Sequence, residues 1–216
     1  MKLHNSLGPN PRIVRQFLIE KGIELEMVEV DLMSAENRTA PFLEKNPSGQ
    51  LPALELDDGS FVSEVTAICE YLDEISPEPS LVGTTAAERA ETRMWTRKLD
   101  LNIAEPMANG FRFAEGLDLF KDRLLCIPQA ADDLKATAQG GMDKFDGWID
   151  GKTFICGDRL TMADIFLFGM LDFFASAGQP VRPELKNVSA WFARMSDRPS
   201  NEASLHEVAA VVGMRG

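Results

Sequence analysis

The 216-residue sequence has few of the residues that bind metals or form disulfide bonds. It contains two histidines, His4 and His206, and three cysteines, Cys69, Cys126 and Cys156, with no CxxC pair and no Cys/His cluster. An odd number of widely spaced cysteines argues against a disulfide framework, and scattered ligands argue against a zinc site. The sequence therefore predicts free thiols in a reducing compartment and no metal.

Positive charge and long apolar runs are also scarce. Lys and Arg number 22 against 34 Asp and Glu, which gives a net charge of −12 at pH 7. A surface this acidic repels phosphate backbones and anionic membranes. The sequence has no run of 18 apolar residues, and its first residues lack the apolar core of a secretory signal. We therefore expect a cytoplasmic protein with no nucleic-acid partner and no membrane partner.

The composition is otherwise that of a globular protein, with 44% hydrophobic and 26% charged residues. A chain of this length buries roughly 70% of its unfolded surface, so its core needs neither a disulfide nor a metal. Length alone allows one large domain or two small ones.

Roughly the first eighty residues alternate short strand patterns with helical patterns. The first helix is predicted to begin at the pair Asn10-Pro11, with Asn10 as its N-cap, and to end at Gly22. The order βαβ followed by αββα predicts a parallel strand pair and then an antiparallel pair. The other predicted elements are strands over 3–6 and 24–30, a short helix near 42–43, a hairpin over 52–62 and a helix over 64–72.

Strand patterns disappear beyond a cluster of breakers that includes Pro77, Pro79 and Gly83. Thr161 and Asp164 form a capping box before a helix that is apolar nearly all round, which is typical of a buried central helix. The fold prediction is α+β, with a first domain over 1–76, a linker over 77–84 and an all-helical domain over 85–216. Helices are predicted over 86–113 with a kink at Pro106, 130–149, 161–174, 185–195 and 202–212.

Three segments, 42–54, 58–72 and 157–164, resemble the cytosolic glutathione S-transferase family. The opening segment 8–23 is similar to a fungal and bacterial branch whose members lack the usual catalytic Tyr, Ser or Cys. The resemblance implies a thioredoxin-like βαβαββα domain that binds glutathione, followed by a helical-bundle domain. It also implies a homodimer in which the first domain of one subunit packs against the second domain of the other.

The resemblance places a glutathione site in the first domain. Leu51-Pro52 matches the family's cis-proline turn, whose backbone pairs with the cysteinyl part of glutathione. Glu64 matches the acid that receives the γ-glutamyl end, and Val65 replaces a Ser that holds the γ-glutamyl carboxylate, leaving a backbone N–H at a helix start. For Asn37 and Gln50, a solvated loop role is the alternative. The implied glutathione-binding residues are Pro9, Asn37, Gln50, Leu51, Pro52, Glu64 and Val65.

No usual thiol-activating residue is present. The family's Tyr position falls near Asn5 and its Ser position near Gly8, so the remaining catalytic candidates are Ser6, Asn10 and the start of the first helix. Ser6 alternatively has a structural role at the end of a strand, and Asn10 alternatively acts only as an N-cap. In the similar branch a His and a Ser of the second domain hold an activating water, but the matching segment here, 111–113, has no His.

The resemblance implies that a pocket for a hydrophobic electrophile lies between the two domains. Arg112 could hold an anion there, or could instead form a helix-surface ion pair with Glu105 or Glu115. A cluster of aromatic residues and Met at helical spacing is also consistent with a plain core. The implied pocket residues are Pro9, Met107, Phe111, Arg112 and Phe113.

The predicted function is that of a detoxifying glutathione transferase, in which the thiolate of glutathione, as cosubstrate, attacks a small hydrophobic electrophile. The alternative is a non-catalytic glutathione-binding scaffold, a ligand carrier or a partner-docking protein, which the missing hydroxyls and Val65 favour. Glutathione-dependent isomerisation or peroxide reduction would need the same thiolate. Ionisation of bound glutathione distinguishes the enzyme from the scaffold.

Overall fold

The computed structural model describes residues 1–216 and divides them into two compact units. The first unit comprises Met1–Val82 together with Pro199–Gly216, and the second comprises Gly83–Arg198. No helix combines the length and the apolar character that crossing a bilayer requires.

The first unit is built on a mixed four-stranded sheet with the strand order β2-β1-β3-β4. β1 pairs in parallel with β2 and antiparallel with β3, and β3 pairs antiparallel with β4, as the predicted βαβ and hairpin units require. This is the predicted thioredoxin-like βαβαββα arrangement. Its elements are β1 Lys2–Asn5, α1 Pro9–Lys21, β2 Glu26–Glu29, a 3₁₀ turn Glu36–Arg38, α2 Ala40–Leu43, β3 Ala53–Glu55, β4 Phe61–Ser63 and α3 Val65–Ile75.

Helix α1 begins earlier than the sequence predicts. Pro9 is its first residue and Gly8, at φ 140°, is its N-cap, so the prediction of Asn10 as N-cap is wrong. Gly8 adopts a backbone conformation that residues with a Cβ rarely reach, and this permits the chain to enter the helix two residues earlier. The helix ends at Gly22, which has φ 66° and caps the last turn as predicted.

The second unit contains only helices and connecting loops. Every residue of α8 from Met162 to Phe174 is buried, which confirms the prediction of a central helix. Its elements are α4 Ala86–Leu99, a π-helical segment Asp100–Ala104, α5 Glu105–Arg112, α6 Leu117–Phe120, a 3₁₀ turn Pro128–Ala130, α7 Ala131–Trp148, α8 Met162–Ser176 and α9 Lys186–Ser196.

The predicted kink at Pro106 takes the form of the π-helical segment that precedes it. Glu105 donates its N–H to the carbonyl of Asp100, five residues earlier, because a proline at 106 cannot accommodate the Asn102 carbonyl in a regular α-helix. The Asn102 carbonyl instead lies against Gly141 of α7, where a Cβ would overlap it. Gly141 is therefore needed for the close approach of these helices.

The segment Pro199–Gly216, hereafter the tail, differs most from its prediction. A single helix was expected over 202–212, but the structure has two short helices, α10 Pro199–Ala203 and α11 Ala209–Val212. The tail also belongs to the first unit, whereas the predicted division places it with the helical domain. Both differences have one cause, because the carbonyls of Asn201 and Ser204 accept hydrogen bonds from arginines of α1 rather than continuing a helix.

Candidate functional site

Two helix starts and a proline turn of the first unit converge on one cleft. Asn10 lies in the first turn of α1, Val65 begins α3, and Glu64 precedes it. The other lining residues lie in the segment that leads into β3. The cleft is partly open, and its empty volume of about 220 Å³ includes open solvent. Its lining residues are Asn10, Asn46, Gln50, Leu51, Pro52, Glu64 and Val65.

The Leu51-Pro52 peptide bond is cis, as the sequence resemblance implies. Sheet pairing of β3 begins only at Ala53, so Leu51 stands outside the ladder and makes no hydrogen bond to the rest of the chain. Asn46 stabilises the turn by donating its side-chain NH₂ to the Gln50 carbonyl at 2.8 Å. The main-chain N–H and carbonyl of Leu51 are therefore open to a ligand with an extended peptide backbone.

Glu64 precedes α3 in an unusual backbone conformation, with φ 72° and ψ 126°. It is one of two residues other than glycine with a positive φ, and its exposed side chain does not cap the helix. Strained residues of this kind cluster at ligand sites. The uncapped first turn of α3, beginning at Val65, leaves backbone N–H groups directed at the cleft wall, which is a favourable place for a carboxylate.

Asn10 is the second residue of α1, between two prolines that have no N–H. Since Pro9 and Pro11 cannot donate, Asn10 carries the only N–H among the first three helical residues. The regular hydrogen-bond pattern begins with Arg12, whose N–H reaches the Gly8 carbonyl at 3.2 Å. Asn10 can therefore offer both its backbone N–H and its side-chain amide to a group in the cleft.

Glu64 is the only ionisable residue in the cleft lining, which contains neither Lys nor Arg. An anionic ligand group must therefore be held by side-chain amides or by backbone N–H groups at the two helix starts, and a cationic one by the Glu64 carboxylate. The arrangement suits a small ligand that carries an ammonium group, a carboxylate and a peptide bond.

Three residues predicted for the site lie outside this cleft. The Ser6 hydroxyl is buried and donates to the Val30 carbonyl at 2.8 Å, which favours its structural alternative over contact with a ligand. The Asn37 side chain is also buried, and its amide donates to the Gly49 carbonyl at 2.6 Å. Pro9 begins α1 but does not line the cleft.

Asn46 lines the cleft but was not singled out in the sequence. Its side-chain oxygen Oδ1 accepts from the Ser48 N–H and hydroxyl, and its side-chain NH₂ donates to the Gln50 carbonyl. The signal was the turn sequence Asn46-Pro47-Ser48-Gly49, since an Asn side chain commonly bonds the backbone two residues later in such turns.

The residues predicted for an electrophile pocket lie on and just after α5 in the second unit. Met107 is almost completely buried, and the Phe111 ring packs at 5.7 to 6.4 Å from the rings of Phe120, Phe173 and Phe174. Phe113 follows α5 and is also buried. This packing favours the core alternative for Met107 and Phe111.

Arg112 contacts residues that are close to it in the sequence. Its guanidinium donates to the Asn109 side chain at 2.9 Å, lies 3.9 Å from the Glu105 carboxylate and sits over the Phe120 ring. Of the two partners expected for a helix-surface ion pair, Glu105 is the one it faces, while Glu115 pairs with Lys135.

The cysteines do not offer a protein nucleophile in this cleft. Cys69 is completely buried, and burial, together with the charges of Asp73 and Glu70, raises its thiol pKa well above the ordinary value. Burial also raises the pKa of Cys156. None of the three cysteines lines the cleft. No group of three or more His, Cys, Asp or Glu side chains is arranged to hold a metal ion.

Comparison with known proteins agrees with this geometry. Residues 8–75 match the profile described as glutathione S-transferase, N-terminal domain, and residues 128–199 match glutathione S-transferase, C-terminal domain. The chain is 34% identical over 200 residues to glutathione S-transferase 2 of Saccharomyces cerevisiae, covering 89% of this chain and 84% of that protein. It is 30% identical over 194 residues to glutathione S-transferase GstA of Escherichia coli O157:H7, covering 87% and 89%.

A solved structure shows the same architecture. The crystal structure of Gtt2 from Saccharomyces cerevisiae superposes with a TM-score of 0.88 at 32% identity, over 95% of this chain and all of that one. The similarity therefore extends through both units of the chain.

Proposed function

Because the chain belongs to the glutathione S-transferase family, we propose that it conjugates the thiolate of glutathione to small hydrophobic electrophiles. The convergence of the α1 start, the cis Leu51-Pro52 turn and the Glu64-Val65 junction on one cleft carries this proposal. The proposed enzyme works as a homodimer in the cytoplasm, where its three free cysteines stay reduced.

Each part of glutathione has a partner in the proposed complex. Glu64 receives the γ-glutamyl ammonium, and the first N–H groups of α3, beginning at Val65, hold the γ-glutamyl carboxylate. The Leu51 N–H and carbonyl pair with the cysteinyl backbone. The cleft is proposed to hold the γ-glutamyl and cysteinyl parts, with the glycine end at its mouth.

The start of α1 activates the thiol in this proposal. A free thiol has a pKa near 8.5, and lowering it by two units requires about 2.7 kcal/mol of preferential stabilisation of the anion. A partly buried helix start supplies up to about 2 kcal/mol, and the Asn10 N–H and side-chain amide donate directly to the sulfur. We therefore expect the bound thiol to have its pKa lowered by about one to two units.

In the transfer step, the thiolate lone pair forms a C–S bond with the electrophilic carbon, and the bond from that carbon to its leaving group breaks with both electrons going to the leaving group. The proton lost on ionisation goes to solvent.

The proposal is tested by titrating the protein with glutathione at several pH values and following thiolate absorption. We expect saturable binding and a lowered thiol pKa, a weaker complex in Glu64→Gln, and a smaller pKa shift in Asn10→Ala. Glu74→Gln, at the exposed far end of α3, is the matched control for Glu64. No binding of glutathione would refute the proposed function.

A glutathione-binding scaffold without turnover is the second candidate. It is favoured by one observation, the absence of any Tyr, Ser or Cys from the cleft lining. Binding with an unshifted thiol pKa, together with no conjugation of aromatic halide or epoxide acceptors, would select the scaffold over the enzyme.

A further inference from the structure

Arg12 is a completely buried charged residue whose guanidinium is bound by the tail. Nη2 donates to the Asn201 side-chain oxygen at 2.6 Å and to its carbonyl at 3.3 Å, and Nη1 donates to the Arg215 carbonyl at 2.8 Å. Nε lies 3.4 Å from the Ser204 hydroxyl. The planar guanidinium, with its donors in fixed directions, holds α1 and the tail in one relative orientation. The single ammonium group of a flexible lysine would not fix this orientation.

Arg15, one turn after Arg12 in α1, also binds the tail. Its Nε donates to the Ser204 carbonyl at 2.8 Å, and its Nη1 donates to the Ser6 carbonyl at 3.1 Å and to the Asn5 side chain. The chain between the end of β1 and the first turn of α1 is therefore tied to the tail through Ser204. Burial lowers the pKa of Arg15 to about 10, which still leaves it charged at neutral pH.

The tail also touches the N-cap of α1 directly. A Cβ on Gly216 would lie 2.7 Å from the Gly8 nitrogen and 2.9 Å from its Cα, so the two backbones are in contact. Gly8 and Arg12 flank Asn10, the residue by which α1 enters the cleft. The tail thus holds both ends of the turn that carries Asn10.

We propose that Arg12 is a positioning residue of the glutathione cleft, which acts by binding the first turn of α1 to the tail. The inference rests on the proposed function, since it concerns the turn that is to activate the thiol. Arg12 does not line the cleft and touches no substrate there. It fixes where the Asn10 N–H and side chain stand, and loosening its contacts would move these donors away from the sulfur.

A second set of contacts between the tail and α1 provides a matched control. Ser200 accepts from the Gln16 amide at 3.3 Å and donates to the Glu20 carboxylate, both in the later turns of α1. Ser200 and Asn201 are neighbours, and both side chains are buried. Asn201→Ala therefore removes the shortest of the hydrogen bonds between Arg12 and the tail, and Ser200→Ala removes a tail contact of similar kind from the later turns.

The experiment measures the thiol pKa of bound glutathione in the full chain, together with amide hydrogen exchange of residues 8–14. In Asn201→Ala we expect the thiol pKa to rise by about one unit, which leaves roughly tenfold less thiolate below that pKa, and exchange over 8–14 to accelerate. Asn201→Asp, which keeps an oxygen acceptor for Arg12, should restore both readouts. Ser200→Ala should lower the melting temperature without changing either one.

The outcomes separate this inference from the proposed function. The positioning role is overturned if the thiol pKa of bound glutathione is lowered in the wild type and stays equally low in Asn201→Ala and in Arg12→Lys. An unshifted wild-type thiol pKa would refute the proposed activation step, and hydrogen exchange then decides the positioning of the turn. Faster exchange over 8–14 in Asn201→Ala alone supports it, and equal exchange in the Asn201→Ala and Ser200→Ala variants overturns it.

Discussion

The indole Nε1 of Trp191 donates a hydrogen bond of 2.9 Å to Oδ1 of Asp164, and both side chains are almost completely inaccessible to solvent. The same Oδ1 accepts from the Ile155 N–H at 2.8 Å. Oδ2 accepts from the Thr161 N–H at 2.9 Å and from its hydroxyl at 3.0 Å, which completes the predicted capping box of α8. Asp164 thus joins the start of the central helix to α9 and to the preceding loop.

Asp164→Asn is expected to lower the free energy of unfolding by about 2–4 kcal/mol. Each carboxylate oxygen faces two donors, so an amide NH₂ in either position opposes two N–H or O–H groups that then lose their acceptor. Urea unfolding followed by tryptophan fluorescence measures the loss. Asp158→Asn, an exposed residue of the same loop that accepts from Thr153 at 3.1 Å, is the control and should change stability by less than about 0.5 kcal/mol. Equal effects of the two changes would contradict the prediction.

Val65→Ser is expected to strengthen glutathione binding about fivefold, which corresponds to about 1 kcal/mol. The new hydroxyl would stand in the first turn of α3 and donate to the γ-glutamyl carboxylate that the proposal places there. Calorimetric titration with glutathione measures the change. Val65→Ala, which removes the same methyl groups without adding a donor, is the control. Equal affinity in the Ser and Ala variants would show that the carboxylate is held elsewhere.

Ser6→Ala is expected to reduce stability by about 1 kcal/mol, because the buried Val30 carbonyl loses its 2.8 Å donor. The thiol pKa of bound glutathione and kcat should stay within about twofold of wild type. Denaturant unfolding and steady-state kinetics test both statements. Ser60→Ala, which removes an exposed hydroxyl bonded to Asp58, is the stability control. A tenfold loss of kcat with a raised thiol pKa would instead assign Ser6 to the sulfur.

The stability of the helical unit should depend on pH through Glu88. Hydrogen bonds from the Thr84 hydroxyl, the Thr84 N–H and the Thr85 N–H lower the pKa of Glu88 to about 2. An acid with a depressed folded-state pKa contributes stability that is complete above its ordinary pKa, near 4.5, and is lost as pH falls toward the folded value.

Glu88→Gln should therefore be less stable than wild type at pH 6, and the difference should shrink between pH 4.5 and 2. Denaturant midpoints at several pH values measure this difference. Glu91→Gln, on the same helix, is the control, since Glu91 contacts Arg159 at 3.2 Å and accepts no backbone N–H. A difference between wild type and Glu88→Gln that stays constant over this range would be inconsistent with the capping role.

Much of the fold followed from short-range patterns. Apolar periodicity and breakers predicted the order of the strands and of the longer helices through residue 196, but not the short helix α6, and Thr161 and Asp164 marked the start of α8. The family resemblance implied the cis Leu51-Pro52 bond and five of the residues that line the cleft, and the start of the first helix added Asn10. These features depend on residues close together in the chain, or on motifs that keep their spacing.

The misplaced elements depend on distant residues instead. Whether α1 begins at Pro9 or later depends on Gly8, whose backbone meets Gly216, and no local rule chooses between the two proline positions. Residues 202–212 have a helical pattern, but Arg12 and Arg15 take the carbonyls of Asn201 and Ser204.

The sequence by itself thus determined most of the strands and longer helices, their order and the family to which the chain belongs. Only the tertiary structure decided that Asn10 faces the cleft, that Ser6 and Asn37 are committed to backbone carbonyls, and that the tail joins the first unit. The physical reason is that the sequence allows a hydrogen-bonding side chain several different partners. Folding brings together residues far apart in the chain, and that packing selects one partner among them.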